Sequence, residues 1–459
     1  MRILSAALFC VLCFGASPYP GVGPLPPAVV AQLPADLPGV LPERERARVV
    51  DEVLADRLDN LLPALMRRSG LDMWIVIGRE YNEDPVLKTM LPSTWLSARR
   101  RTILVFFDKG EAEGIEKIAI ARYNVGKLLP GAWDIDVYPD QYDALAEIVK
   151  ARDPQRIGIN RSEYFALADG LSSSEFETLS RKLPPPYADR LESAADLAVS
   201  WLETRSEKEL ALYPMIAHMG HVLLQEGLSE RHVHPGITTT TDVEWALRQL
   251  VTDAGLETWF HPSVSVQRAD RGNEEFLRSF SRRPEDDVIL PGDLLHVDFG
   301  ITYLRLNTDQ QQHFYVLRPG ETEVPAELRA AFANANRLQD ILTSNYRTGR
   351  SGNEILQLSL KQARDEGLTA SIYTHPIGLH GHAAGPTIGM WDQQDGIPGN
   401  GDYKLAPNTA YSIELFAATD VPSWGKLVRI MLEEDGVWDG ERFYYLDGRA
   451  EEIQVLPRG

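Results

Sequence analysis

The sequence predicts an α/β protein of the mixed α+β kind, with an N-terminal α/β domain followed by a larger domain rich in strands. Three observations support this class. Apolar runs typical of buried strands alternate with helical periodicity up to residue 183. Three consecutive prolines at 184–186 suit neither a helix nor an inner strand. Strand-like runs then predominate after residue 264, and the 459 residues leave room for about two to four domains.

The composition is that of a globular protein, with 44% hydrophobic and 24% charged residues, which excludes disordered, collagen-like and low-complexity classes. The 66 acidic and 46 basic residues leave a net charge of −20. Because nucleic-acid affinity depends on neutralising phosphates, we expect no nucleic-acid partner. The body of the chain has no apolar run of about 18 residues, which excludes a polytopic membrane protein and predicts no stable membrane span after processing.

Residues 1–17 are expected to form a secretory signal peptide, because a positive start at Arg2 precedes an apolar run that small residues close. A single membrane anchor is the alternative, for which the run is short. Residues 18–42, rich in proline, glycine and alanine, are expected to form a tether. Cys10 and Cys13 lie in the signal segment, so the mature protein is expected to lack disulfides and thiol chemistry. These features favour a periplasmic or secreted protein.

Residues 43–187 are predicted to form the N-terminal domain. Apolar residues at three- and four-residue spacing predict a helix from Glu45 to Leu62, which Pro63 is expected to end or kink. A second helix is expected over 142–151. Four apolar runs predict strands over 72–78, 102–107, 118–121 and 157–159.

Residues 204–457 are predicted to form the second domain. Ser206 and Glu209 have the spacing of a capping box, which predicts the start of a helix over 210–225. Another helix is expected over 241–254, and a third over 325–345 as the one helical stretch of the remainder. All 10 histidines lie at position 218 or later, so we expect any metal or histidine chemistry in this domain.

Two aspartates lie in strand-like runs, where a carboxylate is costly to bury unless it is paired or bound to metal. Asp298 lies within 294–300, and Asp309 follows it 11 residues later. A strand, a turn and a returning strand of that length can bring both side chains to one face of an antiparallel pair. Taken alone, Asp309 is equally compatible with a residue that caps a turn.

Further metal-ligating residue types follow in a histidine-rich turn at 375–382 and in strand-like runs at 411–416 and 428–435. The side chains in question are one histidine of the turn (His375, His380 or His382) and one glutamate of each run (Glu414, and Glu433 or Glu434). Each alone is compatible with surface hydrogen bonding or a solvated edge. Taken in order with the two aspartates, they form an oxygen-rich set that suits Mn²⁺, Co²⁺, Zn²⁺ or Fe²⁺. Two such ions bridged by carboxylates can activate water for hydrolysis of an amide-like bond.

This set resembles the M24 metallopeptidases, the pita-bread family of methionine aminopeptidase, aminopeptidase P, prolidase and the non-metal enzyme creatinase. The shared pattern is an aspartate, a second one 11 residues later, a histidine with glycine (Gly378) three positions on, and two strand glutamates. The resemblance covers 204–456, and residues 45–185 resemble the creatinase-type N-terminal domain of the prolidase branch. It implies a creatinase-type α/β domain followed by a pita-bread catalytic domain. It further implies an exported bacterial exopeptidase that hydrolyses N-terminal bonds, Xaa-Pro bonds above all.

The resemblance also implies roles for individual residues. Asp309 and Glu433 would bridge two divalent ions, Asp298 would bind one ion, and His375 and Glu414 would bind the other. Glu414 would also relay a proton. Mn²⁺ is the favoured ion, with Co²⁺, Zn²⁺ and Fe²⁺ as alternatives.

The resemblance assigns substrate contacts as well. His382, seven positions after His375, would hydrogen-bond the substrate carbonyl or the tetrahedral intermediate. Arg429 would orient a ligand carboxylate or the substrate. A short peptide or small-molecule amide is the expected substrate, and a homodimer the expected assembly.

Two register choices remain open at this stage. His380 could replace His375 as the ligand, although Ala383 rather than glycine lies three positions after it. Glu434 could replace Glu433. Alternation along the strand favours Glu433, because that residue shares a face with Arg429.

One feature departs from the family pattern. Family peptidases place a further histidine about 17–18 residues before the first aspartate, but 278–283 contains none and His261 lies much earlier. This departure motivates the alternative of a non-peptidase C–N hydrolase or lyase on the same fold, and a binding module without catalysis is a third class. The segment 391–403 is expected to be an insertion over the site that reshapes specificity.

Overall fold

The computed structural model describes residues 33–271 and 286–457. The expected signal peptide and most of the expected tether therefore lie outside the described residues, as does the stretch 278–283. The described end of the tether segment is not extended away from the protein. Leu33, Leu37 and Val40 pack against the core of the second domain, and the backbone N–H of Leu41 donates to the Tyr303 hydroxyl at 2.8 Å.

The N-terminal region begins with a helical segment that is longer than the sequence predicts. Helix α1 spans Glu43–Asp56, a π-helical turn spans Arg57–Leu61, and helix α2 spans Leu62–Ser69. The expectation that the helix ends near Pro63 is wrong, because this proline occupies the first turn of α2, where no N–H is needed. The helical segment therefore continues past Pro63, with the π-helical turn Arg57–Leu61 between α1 and α2.

A five-stranded sheet forms the core of the N-terminal region, in the order β3-β2-β1-β4-β5. Its strands are β1 (Met73–Arg79), β2 (Arg101–Asp108), β3 (Ile115–Ala119), β4 (Ile157–Ile159) and β5 (Leu191–Ser193). Helices α3 (Pro85–Met90), α4 (Gln141–Arg152), α5 (Ser173–Lys182) and α6 (Ala195–Glu203) lie between and after them. The triple proline falls between α5 and β5, so the sheet takes its last strand from beyond it.

Four α-helices follow in the described part of the second region. They are α7 (Glu207–Gly227), α8 (Thr240–Asp253), α9 (Ala326–Ser344) and α10 (Gly352–Asp365). The capping box predicted at the start of α7 is present, with both reciprocal hydrogen bonds between Ser206 and Glu209. The expectation of a single helix after residue 264 is wrong. Helix α10 is the second, and Ser351 and Glu354 form its own capping box.

The strands of the second region form three sheets and a short ribbon. A four-stranded sheet has the order β18-β10-β7-β6, from β6 (Ser263–Gln267), β7 (Leu294–Phe299), β10 (Gln310–Val316) and β18 (Gln454–Leu456). A three-stranded sheet contains β11 (Thr369–Ile372), β14 (Leu415–Val421) and β15 (Lys426–Leu432). Another contains β12 (His375–Pro376), β13 (Thr409–Ser412), β16 (Asp435–Trp438) and β17 (Phe443–Tyr445). The ribbon pairs β8 (Thr302–Tyr303) with β9 (Leu306–Asn307).

The two glutamate runs differ from expectation in an informative way. Each was predicted to be one strand, but each is divided between two sheets. The chain leaves β13 and enters β14 at Glu414, and it leaves β15 and enters β16 at Glu433 and Glu434. A side chain at such a break is free of the strict in–out alternation of a strand. Both breaks lie where the sheets meet, and this junction gathers the candidate site residues.

No helix of 33–271 or 286–457 is long and apolar enough to span a membrane.

Candidate metal centre

The five predicted ligand side chains converge at the sheet junction. Three overlapping groups each have one potential ligand atom per residue within 4.8 Å of the others. The groups are Asp298–Asp309–Glu433, His375–Glu414–Glu433 and Asp309–His375–His382. We call Asp298, Asp309, His375, Glu414 and Glu433 the five-ligand cluster.

The two aspartates meet because the chain folds back on itself between them. Asp298 lies near the end of β7 and pairs across the ladder with Gln311 of β10, two residues after Asp309. The return is tight, since a side chain at Gly300 would lie 2.3 Å from the Thr308 carbonyl oxygen. The strand, turn and strand inferred from the 11-residue spacing are present, with the β8–β9 ribbon as the turn.

The imidazole of His375 is oriented toward the carboxylates by its own backbone. Its Nδ1 lies 2.9 Å from the Pro376 carbonyl oxygen and donates to it. Nε2 is then left with its lone pair 3.6 Å from Glu433 Oε1, 3.7 Å from Asp309 Oδ2 and 4.0 Å from Glu414 Oε2. A hydrogen bond from one ring nitrogen that frees the other is the usual arrangement for a metal-binding histidine.

The two glutamates are held by neighbouring polar side chains. Thr374 fixes the backbone at Glu414, because its Oγ1 donates to the Glu414 carbonyl oxygen at 2.9 Å and accepts from its N–H at 3.1 Å. The Ser412 hydroxyl donates to Glu433 Oε1 at 2.5 Å. Gln311 Nε2 donates to Glu414 Oε1 and to Glu433 Oε2, each at 2.6 Å.

The cluster carries more buried negative charge than the protein itself neutralises. Among the described residues, His375 Nε2 lies within 4.0 Å of three of the four carboxylates, those of Asp309, Glu414 and Glu433, and it adds no positive charge while it keeps its lone pair. Burial, together with the charge on Glu433, raises the pKa of Asp298, Asp309 and Glu414 well above the ordinary carboxyl range. Asp298 Oδ1, Asp309 Oδ1 and His375 Nε2 are buried without a hydrogen-bond partner. Buried polar atoms are normally satisfied, so these three fit a bound divalent cation.

His382 lies beside the cluster, under an aromatic cover. Its ring packs edge-on against His375, with 4.7 Å between centroids, and against Trp259, with 5.2 Å. Trp259 approaches so closely that a side chain at Gly381 would lie 2.4 Å from its ring. Part of the His382 ring reaches solvent, but enclosure and the neighbouring His375 lower its pKa to about 4. His382 is therefore neutral near pH 7 and can donate a hydrogen bond.

The two register alternatives lie elsewhere. His380 belongs to none of the three ligand groups; burial lowers its pKa to about 4, and the charges it senses are those of Arg205 and Lys88. Glu434 does not belong to the ligand groups, and its Oε2 lies 2.7 Å from His221 Nε2. The structure thus brings together His375 and Glu433, the pair favoured by spacing and alternation.

Arg429, an expected contributor, and His261, the histidine named as too early to replace the missing family histidine, both lie outside the cluster. The guanidinium of Arg429, on β15, lies 5.2 Å from the centroid of the Phe416 ring. Phe416 lies on β14, the strand that follows Glu414. His261 faces helix α8, with its Nε2 3.4 Å from Glu244 Oε2 and its ring against Trp245. Neither residue belongs to a candidate ligand group.

The end of the segment 391–403 contacts the N-terminal region. The Tyr403 ring packs edge-on against Phe165, with 5.4 Å between centroids. Gly399, Asp402 and Tyr403 line a cavity of about 980 Å³ together with Arg161 and Asp196. The segment thus connects the two regions of the chain.

Several supporting residues were not predicted. Thr374, Ser412, Gln311 and Trp259 all touch cluster residues or His382. A signal existed for Gln311, since it follows Asp309 by two positions in a strand and therefore shares its face. Trp259 had no such signal, because its contact with His382 joins positions far apart in the sequence.

Comparison with known proteins agrees with this geometry. Residues 217–436 match the model of the family described as metallopeptidase family M24. No curated protein sequence matches the chain significantly. Among solved structures, the X-Pro aminopeptidase of Thermotoga maritima has a TM-score of 0.60 and 17% identity, over 86% of this chain and 100% of that one. The Xaa-Pro dipeptidase of Bacillus anthracis has a TM-score of 0.59 and 15% identity, over 90% and 100%. The prolidase of Pyrococcus horikoshii has 0.55 and 14%, over 89% and 99%. At these identities the likeness shows the fold, a pita-bread catalytic domain after an N-terminal domain.

Proposed function

Because the domain within residues 217–436 belongs to metallopeptidase family M24, we propose that this chain is a metal-dependent exopeptidase that cleaves an N-terminal peptide bond, with Xaa-Pro bonds preferred. The observation that carries the proposal is the five-ligand cluster. It gathers four carboxylates and one imidazole, and leaves three buried ligand atoms without a partner. The names of the similar structures, an X-Pro aminopeptidase and an Xaa-Pro dipeptidase, support the choice of substrate.

Two divalent ions would be held by the cluster, with Mn²⁺ as the favoured ion and Co²⁺, Zn²⁺ or Fe²⁺ as alternatives. Asp298, Asp309 and Glu433 would hold one ion, and His375 and Glu414 would complete the second position with the two bridging residues, Asp309 and Glu433. Bound ions would supply a nucleophilic water near neutral pH and stabilise the negative charge that develops on the carbonyl oxygen.

Glu414 is the side chain placed to accept the proton that the attacking water releases. Gln311 occupies its Oε1, so Oε2, which faces His375 at 4.0 Å, is the accepting atom.

The neutral ring of His382 would donate a hydrogen bond to the substrate carbonyl, and Trp259 restricts how that ring turns. Arg429 would act further out, by orienting the substrate.

The test is hydrolysis of Xaa-Pro, Xaa-Ala and Xaa-Pro-Xaa peptides by Mn²⁺-loaded protein, with Asp309→Asn as the control. We expect turnover of the proline peptides that the control lacks, and the panel separates a dipeptidase from an aminopeptidase. Full activity of the control would contradict the mechanism.

We further propose that residues 1–17 direct export and that the protein is a homodimer. N-terminal sequencing of the protein from the periplasm and light scattering test these two statements.

A non-peptidase C–N hydrolase or lyase on the same fold is the second candidate. One observation favours it: His261, the nearest described histidine before Asp298 outside the strand itself, faces Glu244 rather than the cluster. Metal-loaded protein that turns over none of the peptides but does turn over small-molecule amides would select this candidate.

A further inference from the structure

Gln311 joins two ligand carboxylates through a single side chain. Its Nε2 donates to Glu414 Oε1 and to Glu433 Oε2, each at 2.6 Å, while its Oε1 lies 2.7 Å from His296 Nε2. Both donors and the acceptor of this amide are therefore used. Gln311 is 3% exposed and His296 6% exposed, so water does not offer a substitute for these bonds.

The chemistry of the neighbours fixes the orientation of the amide. A flipped Gln311 would turn its carbonyl oxygen toward two carboxylate oxygens, which repel it, and its N–H groups toward His296. His296 must then donate from Nε2, because Gln311 Oε1 can only accept.

The amide determines which oxygen of each glutamate faces the ion position. With Glu414 Oε1 and Glu433 Oε2 bonded to Gln311, the oxygens that Gln311 does not contact are Glu414 Oε2 and Glu433 Oε1, the second of which also accepts from the Ser412 hydroxyl. These are the atoms that lie 4.0 Å and 3.6 Å from His375 Nε2. The backbone supports the same register, since the Gln311 N–H donates to the Glu433 carbonyl oxygen at 2.9 Å.

From this geometry we infer that Gln311, oriented by His296, is a positioning residue that holds Glu414 and Glu433 as one unit and thereby sets the metal affinity of the His375–Glu414–Glu433 position. The inference rests on the proposed function, because it requires that the cluster bind metal. His296 acts only through Gln311. It touches neither glutamate in the described hydrogen bonds, and its other nitrogen, Nδ1, lies 3.5 Å from Ser265 Oγ.

The variants that test the inference are Gln311→Met and His296→Phe, which keep the approximate shape of each side chain and remove its hydrogen bonds. Gln312→Met is the matched control. Gln312 lies on the same strand and is 5% exposed, but it faces a cavity lined by His218 and Asp447 on the other side. The measurement is calorimetric titration of the metal-free full chain with Mn²⁺, together with the electron paramagnetic resonance spectrum of the loaded protein.

For wild type we expect two Mn²⁺ ions per chain and the spectrum of a coupled pair. Gln311→Met should weaken the His375–Glu414–Glu433 site by roughly 10–100-fold, the range seen when a residue that orients a metal ligand is lost, and should weaken the other site, which shares Glu433, by less. His296→Phe should weaken the His375–Glu414–Glu433 site by less, and Gln312→Met by less than twofold. The double variant should be no weaker than Gln311→Met alone, because His296 acts through the amide.

The outcomes separate the inference from the function beneath it. Wild-type protein that binds no divalent metal contradicts the proposed function itself. Two ions in wild type with unchanged affinity in Gln311→Met contradict the inference alone, as does an equal loss in Gln312→Met. Additive losses in the double variant would show that His296 acts on the site by another route. Should Gln311→Met fail to fold, His296→Phe against Gln312→Met still decides between these outcomes.

Discussion

Glu433 and Glu434 are adjacent in the sequence, yet they belong to two buried acidic clusters that neutralise charge in different ways. Glu433 belongs to the five-ligand cluster, in which four carboxylates share one imidazole. Glu434 belongs to what we call the His221 cluster, made of His218, His221, Glu434 and Asp447. There, His221 lies 2.7 Å from both Glu434 Oε2 and Asp447 Oδ2, and His218 lies 3.0 Å from Asp447 Oδ2.

Burial shifts the pKa values of the two clusters in opposite directions. Burial alone would lower the pKa of His221, but Glu434 and Asp447 outweigh it and raise that pKa to about 10. The imidazolium and its two carboxylates therefore form a compensated set. In the five-ligand cluster, burial and mutual repulsion raise the carboxyl pKa values of Asp298, Asp309 and Glu414. The His221 cluster thus contains a cation of its own, whereas the five-ligand cluster holds more carboxylates than its single imidazole can compensate.

The largest expected effect is the loss of activity on removal of one shared ligand. Asp309→Asn should lower kcat/KM by at least about 10³-fold, because it removes a residue common to two ligand groups, whereas the loss of one oxyanion donor already costs roughly 10²–10³-fold. Asp447→Asn, in the His221 cluster, should stay within about threefold of wild type per folded molecule. Initial rates on an Xaa-Pro peptide measure both. Equal losses in the two variants would mean that the clusters are not functionally distinct.

The next effect is a change of opposite sign in the two clusters when metal is absent. Glu434→Gln should destabilise the protein by about 3 kcal/mol, because it leaves the His221 imidazolium with one buried partner fewer. Glu414→Gln should instead stabilise the metal-free protein, since it removes one of several repelling carboxylates. Thermal unfolding in a chelator gives the sign of each change. A lower Tm in both variants would contradict the expected difference in charge compensation between the two clusters.

Metal addition should sharpen the same contrast. At a free Mn²⁺ concentration about 100-fold above Kd, a bound ion stabilises the folded state by about 2.7 kcal/mol. This stabilisation should raise the Tm of wild type and of Asp447→Asn when Mn²⁺ is added. The rise should be smaller for Asp298→Asn, which lacks one ligand of the Asp298–Asp309–Glu433 group. Scanning calorimetry with and without Mn²⁺ checks the prediction. An undiminished rise in Asp298→Asn would place the ion elsewhere.

The smallest expected effect is the pH dependence of stability without metal. Carboxyl groups whose folded pKa is raised bind protons more tightly in the folded state, so their contribution to stability declines as pH rises above the unfolded values near 4. His221 has a folded pKa of about 10, so its contribution is complete below its unfolded value near 6.5 and is lost as pH rises through 10. Tm measured from pH 4 to 10 in a chelator should be less pH-dependent at the acidic end in Asp298→Asn, and at the alkaline end in His221→Gln. Curves that coincide with wild type would contradict these assignments.

Much of the local structure follows from short-range patterns. The strand at 157–159 and the capping box at Ser206 arise from apolar runs and side-chain spacings that act within a few residues. The same kind of signal marked helix α10, because Ser351 and Glu354 have capping-box spacing, although the stretch was expected to contain strands and turns. The continued helix beyond Pro63 could not be read from the proline alone, since a proline serves equally well in a first turn as at a break.

The candidate ligands were identified from residue types together with the resemblance to the M24 metallopeptidases, whose pattern has 11 residues between the two aspartates, a glycine three positions after the histidine, and two strand glutamates. Two features depended on the tertiary structure, because they arise where three sheets meet. One is the oxygen of each glutamate that faces His375. The other is the choice between Glu433 and Glu434 as the site residue. The chain changes sheet at Glu414 and at Glu433, so strand alternation no longer predicts the direction of a side chain there. Contacts such as those of Gln311 with Glu414 and Trp259 with His382 join residues more than 100 positions apart. Local patterns carry no information about such pairs, because packing of the whole domain brings them together.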